Sequence, residues 1–181
     1  MNTPNKITIA RIAMVPVFII AMLCDFRGHT VLSLVIFALA GASDSLDGYL
    51  ARRNNLVTDF GKFADPLADK ILIMSAMLIY VENGQMPSWC ACIILAREFA
   101  VTGLRLIAVE NGAVIAAGIA GKIKTFVSTI ACCVMISPWH ATRVLSALPL
   151  DSVCVFLMVV LTVWSGVIYF IRNGGVLKNA K

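Results

Sequence analysis

At 181 residues, 60% of them hydrophobic and only 14% charged, with a mean hydropathy of +0.89, the chain is too apolar for an ordinary soluble domain, in which about 25% of residues are charged. Its net charge of +5 gathers between apolar runs, and the basic-aromatic interleaving of single-strand binders is missing, which excludes nucleic acid as the partner. The composition calls for an all-α integral membrane protein, a single domain over 1–181.

A bilayer span takes roughly 20 mostly apolar residues, and six stretches qualify. The first, Ile7–Cys24, is interrupted by Arg11 and followed by no small-x-small cleavage site, so it is expected to be part of the mature fold rather than a secretory signal. After the turn-like DFRGH at 25–29 comes Val31–Leu50, which ends in carboxylates. The polar RRNNLVTD at 52–59 leads to Phe60–Val81, and ENGQMP at 82–87 leads to Ser88–Val109, which carries Arg97, Glu98 and Arg105. The connection from 110 runs into Val114–Ser137, and a longer one at 138–151 leads to Ser152–Ile171. Cytoplasmic ends of spans carry the excess of Lys and Arg. With the N-terminus inside, only Arg27 and Arg143 of the 15 basic residues fall outside, so six transmembrane helices with both termini in the cytoplasm are expected. The resulting basic face suits anionic headgroups and phosphorylated substrates. His29 and His140 fall on the other side and read as solvated loop residues. The six cysteines, without zinc-site spacings, read as buried thiols.

The chemistry concentrates in DSLDGYLARRNNLVTDFGKFADPLAD, residues 44–69. Asp44 and Asp47 are three apart and Asp65 and Asp69 four apart, so each pair shares a helix face. A short polar loop returns the second helix against the first, and the four carboxylates can meet near the cytoplasmic interface. Asp costs about 2.5 to 3.5 kcal/mol at the centre of a membrane helix, and four neighbouring carboxylates repel one another unless a cation neutralises them. Oxygen-only ligands point to Mg²⁺ or Mn²⁺, and a pair of such ions about 3.5–4 Å apart is a clamp for phosphoryl chemistry. Asp59 reads as a solvated residue or a helix cap. Gly48, Ala51 and Gly61 leave room for a ligand or a neighbouring helix, and Arg52 can hold a phosphate with two parallel hydrogen bonds. Interfacial Asp–Arg pairing explains one such pair, but not eight fixed positions, which average residue usage would produce by chance on the order of 10⁻⁸ of the time.

Asp44-x₂-Asp47-Gly48-x₂-Ala51-Arg52-x₈-Gly61-x₃-Asp65-x₃-Asp69 resembles the complete signature of the CDP-alcohol phosphotransferases. The resemblance implies a fold of six transmembrane helices, a homodimer, a CDP-linked donor and two divalent cations. It implies metal ligation by Asp44, Asp47, Asp65 and Asp69, with Asp69 also the general base, and donor contacts from Gly48, Ala51, Arg52 and Gly61. Asn5-x₂-Thr8-x₂-Arg11 is similar to a further family element near the nucleotide, which adds Asn5 and Thr8 to the donor site.

The signature leaves the acceptor open. Arg97 and Arg105, eight apart in REFAVTGLR, lie close to one helix face, and Lys122, Lys124 and Thr125 follow in GKIKT. Four cations and a hydroxyl near a carboxylate pocket suggest an acceptor that brings its own phosphate. Taken singly, Lys122 and Lys124 also read as anchors snorkelling to the headgroups. Both segments resemble those of the phosphatidylglycerophosphate-forming branch of the family, which implies CDP-diacylglycerol as donor, sn-glycerol 3-phosphate as acceptor, and a bacterial inner membrane with the active site on its cytoplasmic face. The rival readings are a sibling transferase acting on inositol phosphate, serine or phosphatidylglycerol, and a small ion or proton transporter. The transporter reading lacks repeat symmetry and a line of carboxylates across the membrane.

Overall fold

The computed structural model describes the backbone of residues 3–54, 59–110, 118–137 and 149–175, and the side chains of 9–43, 70–109, 118–137 and 149–175. Among the described residues there are six α-helices and no strand: α1 (Thr3–Leu23), α2 (His29–Asn54), α3 (Asp59–Glu82), α4 (Ser88–Glu110), α5 (Ile119–Ile136) and α6 (Leu150–Asn173). Each coincides with one of the apolar stretches. α5 starts later than the expected Val114, because extended Gly118 (φ −70°, ψ 160°) occupies its N-cap; residues 111–117 lie outside the described residues.

Two turns depend on glycine. Between α1 and α2, Gly28 takes φ 92°, and after α3, Gly84 takes φ 72°, a region that side chains with a Cβ avoid. At Gly84 the Gln85 N–H donates to Tyr80 O (2.9 Å) and the Gly84 N–H to Val81 O (3.1 Å), the paired pattern that closes a helix end on its own carbonyls. These short turns make neighbouring helices antiparallel.

α1 packs along α2 and α3, while α6 packs along α4 and α5. α3 touches α2, α4 and α5 and so joins the two groups. Phe18 and Phe37 meet at 5.6 Å between centroids in a core that also holds Leu72, Met77, Ile94 and Met158. The buried Tyr80 hydroxyl donates to Cys132 O across α3 and α5 at 2.8 Å.

The surface inverts the pattern of a soluble bundle. Ile20, Leu39, Leu78, Phe99, Leu106, Phe126, Phe156 and Ile171 face outward, whereas Arg11, Ser33, Lys124, Ser128, Thr162 and Ser165 are buried. Hydrocarbon is the solvent that favours this arrangement, since every exposed apolar side chain is then out of water. Among the described residues, α5 and α6 are long and apolar enough to cross a membrane. In α4 the charges of Arg97, Glu98 and Arg105 interrupt the apolar run. Only Cys90, Cys132 and Cys154 are buried, so the expectation of six buried thiols is corrected at Cys24 and Cys92, which are exposed. Cys92 lies on the outward surface of α4, where a small apolar thiol is as compatible with hydrocarbon as with a protein core, whereas Cys24 lies just past the end of α1.

Candidate active site

The signature residues fall at one end of the bundle. Asp44, Asp47, Gly48, Ala51 and Arg52 lie in the last turns of α2, and Gly61, Asp65 and Asp69 in the first half of α3, with only residues 55–58 between the helices. Asp59 is the first residue of α3, where the sequence placed a cap. α1 runs antiparallel to α2, which brings the turn carrying Asn5 and Thr8 to the same end. The side chains of all these residues lie outside the described residues, as does His140; the loop expected at 52–59 is shorter, since 52–54 belong to α2 and Asp59 to α3, and 55–58 lie outside the described residues. One turn beyond Thr8, Arg11 is described: it is completely buried, at 0% exposure, and engaged within the bundle.

Among the described residues, no group of three or more His, Cys, Asp or Glu gathers as a metal site. The donor set for a divalent ion is therefore sought in the four aspartates. Two carboxylates three apart on one helix and two four apart on its packed neighbour form an all-oxygen set suited to a hard cation.

The second polar centre is described in full and is built on Glu98. The Lys124 ammonium of α5 donates to Glu98 Oε1 at 2.6 Å, and Arg97 Nη1 donates to the same oxygen at 3.0 Å. Lys124 is only 4% exposed and Glu98 20%, so the pair is largely shielded from the outside. Arg97 Nη2 continues to Ser165 Oγ on α6 at 3.0 Å. Lys70 of α3, the residue after Asp69, donates to Thr102 Oγ1, and the Thr102 hydroxyl donates to the Glu98 carbonyl at 2.8 Å. Four helices thus meet through one glutamate. Buried charges persist only when they are paired and hydrogen-bonded, and among the described residues Arg97, Lys124 and Lys70 gather around the Glu98 carboxylate.

This cluster borders a small cleft that opens to the outside. Lys70, Glu98, Lys124 and Thr125 supply its polar wall, and Ile73, Met74, Met77, Ile94 and Leu95 its apolar one. A small concave site with few convergent polar groups on an apolar lining is the usual form of a ligand pocket. The structure therefore brings Arg97, Lys124 and Thr125 together. Arg105 lies two turns further along α4, where its Nε donates to Tyr169 OH at 3.2 Å and its guanidinium sits 5.6 Å from the Tyr169 ring. Lys122 is exposed and does not line the cleft, and the Thr125 hydroxyl donates back to Gly121 O at 3.1 Å.

Sequence reasoning did not assign roles to Lys70, Glu98, Thr102, Ser165 and Tyr169. Thr102 is detectable in principle, being four residues from Glu98 on one helix face. Ser165 and Tyr169 carry no local signal, because their partners lie 68 and 64 residues away.

A six-helix bundle with an aspartate-rich end and a cationic cleft beside it is the arrangement of a membrane-embedded transferase, and the chain belongs to the CDP-alcohol phosphatidyltransferase family, whose model matches residues 1–165. The CDP-diacylglycerol--glycerol-3-phosphate 3-phosphatidyltransferase of Bacillus subtilis (strain 168) is 41% identical, over 99% of this chain and 98% of that protein. A probable phosphatidylglycerophosphate synthase of Mycobacterium tuberculosis (strain ATCC 25618 / H37Rv) is 39% identical, over 99% of this chain and 87% of its own. A CDP-diacylglycerol--glycerol-3-phosphate 3-phosphatidyltransferase of Rickettsia bellii (strain RML369-C) is 32% identical, over 93% of each chain.

Proposed function

We propose that this protein transfers the phosphatidyl group of CDP-diacylglycerol to sn-glycerol 3-phosphate, giving phosphatidylglycerophosphate and CMP. The observation that carries the acceptor assignment is the gathering of Arg97 and Lys124 on Glu98, beside a cleft that Lys70 also lines. A cationic pocket one residue along α3 from Asp69 suits an acceptor that carries a phosphate on one carbon and a reacting hydroxyl on another. Relatives similar over nearly the whole chain bear the name of this activity.

In the proposed reaction the primary hydroxyl of glycerol 3-phosphate attacks the diacylglycerol-bearing phosphorus. A new P–O bond forms as the bond to the CMP oxygen breaks, and Asp69 accepts the hydroxyl proton. Asn5, Thr8, Gly48, Ala51, Arg52 and Gly61 hold the CDP moiety, while Arg97, Lys124 and Thr125 receive the acceptor phosphate, and Arg105 and Lys122, which lie away from the cleft, add positive charge at longer range. Two divalent cations, Mg²⁺ or Mn²⁺, would be held by Asp44, Asp47, Asp65 and Asp69, and would supply positive charge that neutralises the donor's pyrophosphate and the single phosphate that leaves with CMP.

The same reading makes all six helices membrane spans of a homodimer in a bacterial inner membrane, with both termini and the active site at the cytoplasmic face. It is supported by the basic residues at one set of helix ends and by the outward apolar surface. The donor's acyl chains then stay in hydrocarbon while its headgroup meets a water-soluble acceptor. The test is CMP release by purified protein from CDP-diacylglycerol with glycerol 3-phosphate, inositol phosphate, serine or phosphatidylglycerol offered in turn. Turnover with glycerol 3-phosphate is expected; turnover confined to another acceptor overturns the assignment.

A further inference from the structure

Arg97 is held by α6 as well as by Glu98, and the contact is made by a residue with no side chain. A Cβ built on Gly166 would lie 3.1 Å from Arg97 Cγ and 3.7 Å from its Nε, so the arginine stem rests directly on the glycine backbone. One residue earlier, the Ser165 hydroxyl donates to Thr162 O at 3.1 Å. Its single proton is thereby committed, and its oxygen accepts from Arg97 Nη2 at 3.0 Å. Ser165 is 1% exposed, so water does not compete for that oxygen. The guanidinium is therefore fixed at Nη1 by Glu98, at Nη2 by Ser165 and along its stem by Gly166.

We infer that Ser165 and Gly166 are positioning residues that aim Arg97 at the acceptor's phosphate, so that α6 sets affinity for the acceptor without touching it. The inference rests on the assignment of Arg97 to the acceptor site under the proposed function. A planar guanidinium binds a phosphate in a narrow range of directions, and misplacing a binding group by about 1 Å can cost up to about a hundredfold. An alanine at 166 must push the Arg97 stem aside by several tenths of an ångström, and the rest of the side chain follows. The glycine runs against helix propensity, because alanine is the better helix former in the middle of α6. Gly166→Ala should therefore leave the bundle folded and change only the aim of Arg97.

The experiment measures CMP release by the purified full chain with glycerol 3-phosphate varied at saturating CDP-diacylglycerol, and then the reverse. Gly166→Ala is expected to raise KM for glycerol 3-phosphate about tenfold or more, with kcat within about threefold of the parent, an unchanged donor KM and an unchanged thermal midpoint. Ser165→Ala should move the same constant in the same direction by less. Gly103→Ala is the control: it makes the same exchange within α4 at a site where, among the described residues and beyond its own helix backbone and chain neighbours, nothing lies within 4 Å of the new Cβ, and it should leave both KM values unchanged. If Gly166→Ala unfolds the protein, Ser165→Ala alone decides. Arg97→Ala separates the two levels of the argument. If it raises acceptor KM while Ser165→Ala and Gly166→Ala do not, the cradle is overturned and the acceptor assignment stands. If Arg97→Ala leaves acceptor KM unchanged, the assignment falls and the cradle with it. An equal effect from Gly103→Ala would also overturn the proposal.

Discussion

At the scale of single residues, the information carried by the aspartates is local. Spacings of three and four put each pair on one face of its helix, and the two helices expected to carry them are α2 and α3. Asp69→Asn keeps shape and hydrogen-bonding capacity but removes the proton acceptor. It is expected to retain donor binding and lose turnover by about two to four orders of magnitude, measured as CMP release alongside equilibrium binding of CDP-diacylglycerol. An active Asp69→Asn enzyme contradicts the base assignment. Glu98 was conspicuous as an intramembrane charge, but its role was hidden, since Lys124 lies 26 residues away on another helix. Removing one partner of a buried ion pair costs more than removing both. Glu98→Ala should therefore destabilise by about 3 kcal/mol, and Glu98→Ala with Lys124→Met by clearly less, measured by thermal unfolding in detergent. Additive effects in that cycle would contradict the junction.

The helices themselves show a different balance. All six were visible as apolar runs of about the length that a bilayer span takes. Boundaries were less visible: α5 begins only at Ile119, after Gly118, although the apolar run starts at Val114. Which face of each helix turns outward was not legible either. In an apolar helix both faces look alike, which is why Cys24 and Cys92 were misjudged while Cys90, Cys132 and Cys154 were not. The turns are better specified, and Gly84 at φ 72° closes α3 where the sequence ENGQMP placed a turn. A Cβ at that φ costs about 1 kcal/mol. Gly84→Ala should lower stability by roughly that amount while leaving both KM values unchanged, since the turn lies at the end of α3 opposite Asp65 and Asp69. A large change in acceptor KM would show that this turn is coupled to the site.

For the whole molecule, the proposed orientation rests on the pattern of basic residues and the outward apolar surface. Cys24 is exposed at the end of α1 beside the turn at 25–28, on the side opposite the aspartates. In intact cells a membrane-impermeant maleimide applied to the outer face of the inner membrane should label the parent and not Cys24→Ser. Labelling that appears only after the membrane is opened would reverse the topology. The division of labour also belongs to this scale. α1, α2 and α3 carry the donor signature, α4 and α5 carry the cations beside it, and α6 orients one of them through Ser165 and Gly166. The first group was readable from spacing, whereas the last required the packing of α4 on α6. The most direct measurement is CMP release from CDP-diacylglycerol by the purified protein with glycerol 3-phosphate, before and after chelation of divalent cations. The expected result is turnover with glycerol 3-phosphate that chelation abolishes and Mg²⁺ or Mn²⁺ restores; turnover that needs no metal, or that occurs only with an acceptor lacking a phosphate, would contradict the account.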